Sequence, residues 1–239
     1  MVATQGADMS TQLNAVTAHA LYQAGMRFVV RYLGTGDPAK ALLSGEPALI
    51  RAAGLNLVLV WEGNPTYGGY FSYSQGLSDA RAAAARARAL GVPGGLAIYF
   101  AVDFDAQSYN MSAIASYVQG LKAGIGSYKV GVYGGYAVIS YLHANEPVPY
   151  YWQTYAWSGG QVASFAQLYQ YQNGQYIGGV TVDRDTANGN PGWWAAGATG
   201  ATGSALGSFS VSGSTTILGL GLLAAAGYFG WRYYQQKVG

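Results

Sequence analysis

The sequence predicts an α/β fold: a small (β/α)8 barrel of the TIM type over residues 1–194, followed by a flexible linker and one C-terminal transmembrane helix. Three observations predict it: apolar runs of strand length alternate with helical patterns, there are eight such runs, and the composition changes sharply after residue 194. Strand–helix alternation is typical of parallel strands joined by right-handed crossovers, and eight of them favour a closed barrel. A doubly wound open sheet is the structural alternative.

The predicted elements follow from short apolar runs, helical patterns and the glycines and prolines that separate them. The predicted strands are Val2–Ala7, Arg27–Leu33, Leu55–Trp61, Leu96–Val102, Lys129–Tyr133, Tyr151–Ala156, Gln167–Tyr171 and Val180–Asp183. The predicted helices are Gln12–Ala24, Glu46–Ala53, Ser78–Leu90, Met111–Gly124, Tyr136–Asn145 and a short one near Gln161–Ala166. The third helix is the clearest, because Ala and Arg are strong helix formers and Gly91 and Pro93 end it.

The segment after the barrel has no charge between Asp185 and Arg232. Residues 195–214 are rich in Gly, Ala, Ser and Thr, which predicts a linker. Residues 215–234 are apolar on every side and end in aromatic residues, which predicts a bilayer-spanning helix from Thr215 to Tyr234 before a polar tail, 235–239. Positive charge after the span predicts a single-pass protein with its barrel outside, in a cell envelope or a membrane-containing phage virion. A buried core helix is the alternative.

The composition excludes several functional classes. Hydrophobic residues make up 51% of the chain, which excludes disorder over most of it, and a net charge of +2 is too small for a nucleic-acid partner. No cysteine is present, which excludes disulfides and thiolate metal sites, and two histidines disfavour a zinc site. We therefore predict no metal and no cofactor, and expect acid–base chemistry to come from carboxylates.

Half of the ten acidic residues fall at or just after the ends of predicted strands, where barrel active sites are built. They are Asp8, Glu62, Asp103, Asp105 and Asp183. Asp103 and Asp105 are two residues apart, so an extended strand would point both carboxylates the same way. Clustered carboxyls can separate into one protonated and one ionised group, as glycoside hydrolysis requires. Helix capping, or calcium binding by acids two residues apart, are the alternatives.

Aromatic and amide side chains on or beside the same strands are candidates for sugar binding, because aromatic faces suit the apolar faces of sugar rings. Core packing is the alternative for each of them. Arg31 is expected to pair with an acid at the strand ends. The candidate substrate-binding residues are Glu62, Arg31, Trp61, Tyr99, Tyr133, Trp152 and Gln153.

Several ordered motifs resemble a known family, the glycoside-hydrolase-like domain of unknown function, family 1906, which is similar to the family 25 lysozymes. The motifs are Gly6–Asp8, Phe28–Leu33, the stretch that contains Lys40 and Glu46, Ile98–Asp105, Val130–Gly134, Tyr151–Thr154 and Val182-Asp183. The resemblance implies a barrel with its pocket at the strand ends and bacterial cell-wall glycan as the ligand. The lysozymes end their fourth strand in Asp-x-Glu, with Glu as general acid; Asp103 and Asp105 match these positions. Asp105 departs from the pattern, being one methylene shorter.

The resemblance and the acid cluster together favour a membrane-anchored, muramidase-like hydrolase of peptidoglycan. In this interpretation Asp105 is the general acid, while Asp103 and Asp183 stabilise developing positive charge or position the substrate's acetamido group. Asp8 completes the catalytic set. A glycan-binding module without turnover, and a structural membrane protein of a virion or envelope, are the alternatives. Peptidoglycan, a bilayer and possible copies of the chain or virion neighbours are the expected partners.

Overall fold

The computed structural model describes residues 3–34 and 37–197. The predicted transmembrane helix and tail, and all but the first three residues of the predicted linker, lie outside the described residues. Within the described ranges, no helix is long and apolar enough to cross a membrane.

The described residues form a closed barrel of eight strands in which each strand pairs with its neighbours in chain order. This confirms the predicted barrel and rejects the open sheet. The first and last strands close the barrel against each other. The strands are β1 (Thr4–Asp8), β2 (Phe28–Gly34), β3 (Asn56–Trp61), β4 (Ala97–Ala101), β5 (Lys129–Gly134), β6 (Tyr150–Thr154), β7 (Leu168–Ile177) and β8 (Val180–Ala187).

The last strand runs opposite to the other seven, which corrects the expectation of an entirely parallel barrel. Strand β8 is antiparallel to both β7 and β1, whereas every other neighbouring pair is parallel. Only two residues connect β7 to β8, Gly178 (φ 62°) and Gly179 (φ 89°). A two-residue hairpin needs such left-handed conformations, which glycine adopts without steric cost. The final connection is therefore a hairpin, with no space for a crossover helix.

Five α-helices pack outside the barrel within the described ranges: α1 (Ala15–Gln23), α2 (Glu46–Ala52), α3 (Tyr73–Ala89), α4 (Met111–Gly124) and α5 (Tyr136–Asn145). Short 3-10 helices lie at 38–40, 68–70 and 108–110. The predicted helix at Gln161–Ala166 is wrong, because this segment is irregular apart from a turn at Ser164 and Phe165. The amide of Gln153 holds it in place, donating to the Gln161 carbonyl (2.7 Å) and accepting from the Ala163 N–H (2.8 Å).

Two hydrophobic layers are separated by the barrel wall. Alternate strand residues such as Val30, Val58 and Trp152 form an inner cluster, and their neighbours pack against the helices. Aromatic rings fill the lower interior so closely that a Cβ on Gly6 would come within 2.3 Å of the Phe28 ring. The interior is thus packed below the ends of the parallel strands, and open space remains at the barrel mouth.

Candidate active site at the barrel mouth

A cavity of about 120 Å³ opens among the carboxyl ends of the parallel strands. Four predicted catalytic or binding acids, Asp8, Glu62, Asp103 and Asp183, all line it. The barrel therefore gathers at one mouth acids that lie up to 175 residues apart in the sequence. The complete lining is Asp8, Tyr32, Val60, Glu62, Ala101, Asp103, Tyr133, Trp152, Gln170, Asn173 and Asp183.

Asp8 and Asp183 form one side of the cavity because they are direct cross-strand partners on β1 and β8. A single side-chain nitrogen joins them: Gln170 Nε2 lies 2.8 Å from Asp8 Oδ2 and 3.4 Å from Asp183 Oδ2. The backbone N–H of Gly174 also donates to Asp183 Oδ1, at 2.7 Å. The reversed strand thus brings Asp183 to the mouth from within a ladder, whereas the sequence predicted it at the end of a parallel strand.

Glu62 and Asp103 form the other acidic side, because they follow the neighbouring strands β3 and β4. Backbone hydrogen bonds fix both residues: the Glu62 N–H donates to the Gly34 carbonyl (3.0 Å) and the Asp103 N–H to the Pro65 carbonyl (2.9 Å). Glu62 Oε2 is buried without a hydrogen-bond partner among the described residues. This carboxyl is therefore free to interact with a ligand.

Burial raises the pKa of every acid in the cavity, because the charged form loses its hydration. The pKa of Asp8 is raised to about 8, first by burial and then by the charge of Asp183. Burial is also the largest cause of the raised pKa values of Glu62, Asp103 and Asp183. None of the four makes an ion pair with Lys or Arg in the described part of the chain. With its pKa raised to about 8, Asp8 is mostly protonated at neutral pH, and the other three carboxyls keep their protons to a higher pH than exposed carboxyls do, as a general acid requires.

Aromatic rings and hydroxyls complete the cavity. Tyr133 and Trp152 pack edge to face with ring centroids 4.6 Å apart. Burial raises the pKa of Tyr32 and Tyr133 well above the usual value, so both hydroxyls stay neutral. The cavity thus offers an apolar surface beside hydrogen-bonding groups, which is the combination that a sugar ring needs.

A second groove of about 200 Å³ joins the cavity on the β1–β8 side. The two share Asp8, Tyr32 and Asp183, so they form one continuous cleft across part of the mouth. Lys40 lines this groove, and its positive charge acts to lower the pKa of Glu62 and Asp103. A ligand longer than one ring has room to continue along the groove.

Asp105, the predicted general acid, does not line the cavity. Strand β4 ends at Ala101, and Phe104 lies in a bend, so the two-residue alternation does not continue to Asp105. Its side chain is exposed, and its backbone carbonyl accepts a hydrogen bond from Gln107 (3.1 Å). Asp103 is therefore the acid that this segment contributes to the mouth.

Arg31 also lies away from the cavity, although it was predicted to bind substrate and to pair with an acid at the strand ends. Its guanidinium is completely buried under α2, where Nε is 2.7 Å from Glu46 Oε1. The same group donates to the carbonyls of Met9 and Lys40. Arg31 therefore fixes the segments after β1 and β2 from outside the barrel wall.

Three further predicted sugar-binding residues lie elsewhere. Trp61 packs in the outer hydrophobic layer, because Glu62 occupies the inward position beside it. Tyr99 is fully buried inside the barrel, where its hydroxyl donates to the Pro191 carbonyl (2.9 Å). Gln153 holds the loop after β6, as described above. All three side chains are held by contacts within the fold, and none of them lines the cavity.

Tyr32 and Asn173 line the cavity without having been predicted. Tyr32 is two residues after the inward-facing Val30, so strand alternation contained a signal for it. Asn173 belongs to the part of the β7–β8 hairpin that pairs only within itself, which required knowledge of the hairpin. In residues 3–34 and 37–197, no group of three or more acids or histidines is arranged to hold a metal ion, so nothing here supports the calcium alternative.

Comparison with known proteins identifies relatives of this chain. YbfG of Bacillus subtilis, an uncharacterised protein, is 31% identical in a match that covers 76% of this chain. The aligned region is only 28% of YbfG, so the chain spans less than a third of that relative.

Two solved structures share the fold. The Tat-secreted protein Rv2525c of Mycobacterium tuberculosis, crystallised with L-tartrate, superposes with a TM-score of 0.72 at 22% identity, covering 80% of this chain and 99% of Rv2525c. The lysozyme of Streptomyces coelicolor superposes with a TM-score of 0.51 at 17% identity, covering 79% of this chain and 94% of the lysozyme. The resemblance inferred from the sequence motifs is confirmed.

The family model of the Rv2525c-like, glycoside hydrolase-like domain matches residues 19–187, which include strands β2 to β8. Its match covers most of the chain. We conclude that the chain belongs to the Rv2525c-like family of glycoside hydrolase-like domains, whose fold is related to that of lysozymes.

Proposed function

We propose that the cleft binds a glycan strand of bacterial peptidoglycan and that the chain hydrolyses its β-1,4 bonds in the manner of a muramidase. The observation that carries this proposal is a set of four carboxyls, Asp8 buried and the other three partly buried, that face one cavity without a cationic partner among the described residues. The related fold of a lysozyme supports the same substrate class. A cavity of about 120 Å³ is smaller than the roughly 300 Å³ of ordinary ligand pockets, so it holds one ring while the strand continues along the groove.

The two acidic sides of the cavity divide the chemistry between them. Glu62 and Asp103 are candidates for the general acid, since burial keeps each protonated at a higher pH than usual. Asp8 and Asp183, bridged by Gln170, are candidates for stabilising positive charge on the sugar or for orienting the substrate's acetamido group. Glycoside hydrolysis requires such a separation of an acid from a second carboxyl across the bond that breaks.

Lysis of purified peptidoglycan by Asp103→Asn and Asp105→Asn tests this assignment. We expect Asp103→Asn to lower the rate at least about a hundredfold, because loss of a general acid typically costs that much or more. Asp105→Asn is the matched control, since the same change is made two residues away on an exposed side chain. Equal rates for the two variants would contradict the assignment of Asp103.

A glycan-binding module without turnover is the second candidate. The exposed position of Asp105, where the lysozyme motif places its general acid, favours it. In that case the wild type sediments with insoluble peptidoglycan, Asp8→Ala does not, and no lysis occurs. Display at a cell envelope or virion, anchored through residues 215–234, also remains our proposal and concerns residues outside the described part of the chain.

A further inference from the structure

Asp185 is a buried acid directly below the cavity that the proposed function does not use. On the β1–β8 ladder it faces Gly6, two residues below the pair formed by Asp8 and Asp183. Because strand side chains alternate, Asp183 and Asp185 both point into the barrel. Asp183 reaches the cavity, whereas Asp185 is completely buried. A carboxyl in this position needs a hydrogen-bond partner for each oxygen.

The hydrogen bonds of Asp185 distinguish its two oxygens. The indole N–H of Trp152 donates to Oδ1 at 2.9 Å. Oδ2 receives no N–H or O–H donor from the described residues, although it is buried. The Asp8 carboxyl lies within hydrogen-bonding reach of Asp185. A hydrogen on Oδ2 would make that oxygen a donor to Asp8, and both oxygens of Asp185 would then have partners.

The surroundings of Asp8 suit an acceptor. Gln170 Nε2 donates to Asp8 Oδ2, and the orientation of that amide is fixed because Gln170 Oε1 lies 3.0 Å from the Tyr133 hydroxyl and 2.9 Å from Thr154 Oγ1. With a hydrogen from Asp185, the Asp8 carboxyl group would accept from two fixed donors. Two such hydrogen bonds fix the orientation of the carboxyl group.

We propose that Asp185 is a neutral carboxylic acid that donates its hydrogen to Asp8 and thereby acts as a positioning residue for the cavity. The effect on glycan binding or hydrolysis rests on the proposed function, whereas the hydrogen bond from Asp185 to Asp8 does not.

The charged groups around the pair favour retention of this proton. Burial, followed by the charge of Asp8, raises the pKa of Asp185 well above its usual value. Asp183 adds negative charge from β8, and Asp103 from the segment after β4. The hydroxyls of Tyr32 and Tyr133 face the pair from β2 and β5 and are neutral, and Lys40 lines the adjoining groove.

Carbon-13 spectra of the aspartate side chains in the full-length protein test the protonation state directly. The Asp185 signal is assigned by its absence from Asp185→Asn, and the Asp8 signal by its absence from Asp8→Asn. We expect the Asp185 carboxyl carbon to have the chemical shift of a protonated acid at pH 7. A shift typical of an ionised carboxylate would overturn the proposal.

Two substitutions test the positioning role. Asn at position 185 can accept from Trp152 and donate to Asp8, while Leu has a similar volume and can do neither. We expect the Asp8 signal to stay near its wild-type position in Asp185→Asn and to move in Asp185→Leu. We also expect peptidoglycan affinity to be retained by Asn and to fall about tenfold with Leu, the equivalent of one buried hydrogen bond.

The two proposals can fail separately. If the wild type neither binds nor lyses peptidoglycan, the function is wrong, but the carboxyl spectra still decide whether Asp185 donates to Asp8. If the Asp8 signal is the same in both variants, the positioning role is wrong whatever the activity. Should Asp185→Leu fail to fold, a wild-type Asp8 signal in Asp185→Asn is expected, and a displaced one would overturn the role.

Discussion

Buried acids on the two sides of the barrel wall have different surroundings. Outside the wall, Glu46 accepts hydrogen bonds from Arg31 and from the backbone N–H groups of Leu13 and Leu43. Asp79 likewise accepts from two tyrosine hydroxyls and the Gln75 amide, at 2.6–2.8 Å. Inside the mouth, Glu62 Oε2 has no partner among the described residues, and the other three acids of the cavity lack a cation.

Under the proposed function, this difference separates structural carboxylates from those that act on a ligand. A buried charge that only stabilises the fold must have its hydration replaced by donors or a cation, since an unpaired one is costly. The acids of the cavity have raised pKa values, and Glu62 keeps a buried oxygen without a partner among the described residues, which is typical of acids at functional sites. The number and kind of donors around each acid is therefore a better guide to its role than its burial alone.

Removal of Arg31 should have the largest effect on stability. Arg31→Met would leave Glu46 as a buried charge without its cation, and breaking such a pair costs about 3–5 kcal/mol. Urea unfolding measures the loss. In the double variant Arg31→Met, Glu46→Gln, the neutral amide still accepts from the backbone, so part of the stability should return. A loss below about 1 kcal/mol in the single variant would contradict a structural role for this pair, because surface ion pairs contribute that little.

Asp8→Asn should have an intermediate effect that depends on pH. Folding raises the pKa of Asp8 from 3.8 to about 8, so the folded state keeps a proton that the unfolded state has lost between these values. The unfolding free energy of the wild type should therefore fall as pH rises through this range, by at most about 1.4 kcal/mol per pH unit for one proton. Asp8→Asn should show a shallower fall, and unfolding at pH 5, 7 and 9 measures it. The exposed acid variant Asp105→Asn should retain the wild-type slope.

The smallest effect is expected at the exposed ion pair between Lys122 and Glu146. Lys122→Met should lower the unfolding free energy by less than about 1 kcal/mol, because both charges are partly hydrated. A hydrogen bond from Lys122 lowers the pKa of Glu146, so this contribution is present at neutral pH and is lost as the pH falls. Thermal unfolding in low and high salt measures this contribution. A loss of unfolding free energy as large as that of Arg31→Met would show that burial does not determine how much an ion pair stabilises this fold.

Strand periodicity predicted the barrel and the acids at its mouth, but it holds only within a strand. Asp8, Glu62 and Asp103 follow directly from strand ends, whereas Asp105 lies beyond the point where β4 stops alternating. The alternation of strand side chains alone would have placed Arg31 outside the wall, because its neighbours Val30 and Tyr32 both point inward. This alternation does not predict the partner of Arg31, which is Glu46 on a helix 15 residues later in the chain.

The reversed last strand was readable but was not predicted. Two apolar runs separated by Gly178 and Gly179 are a hairpin signal. The regular alternation of the preceding elements favours a parallel last strand instead. A parallel strand ending at Asp183 would place this residue at the same mouth, but the residue reaches it from within an antiparallel strand. The irregular segment at 161–166 depends on the amide of Gln153, a tertiary contact that local sequence does not contain.

One wall of the mouth is formed by the β7–β8 hairpin. Its outer part, beyond Gln170 on β7 and before Asp183 on β8, pairs only with itself, so its length can change without altering barrel closure. Asp183 is held opposite Asp8 on β1, so residues inserted in this outer part would lengthen the wall and leave that carboxyl facing inward. Natural or engineered diversity in the length of this wall should therefore leave the acidic side of the cavity in place.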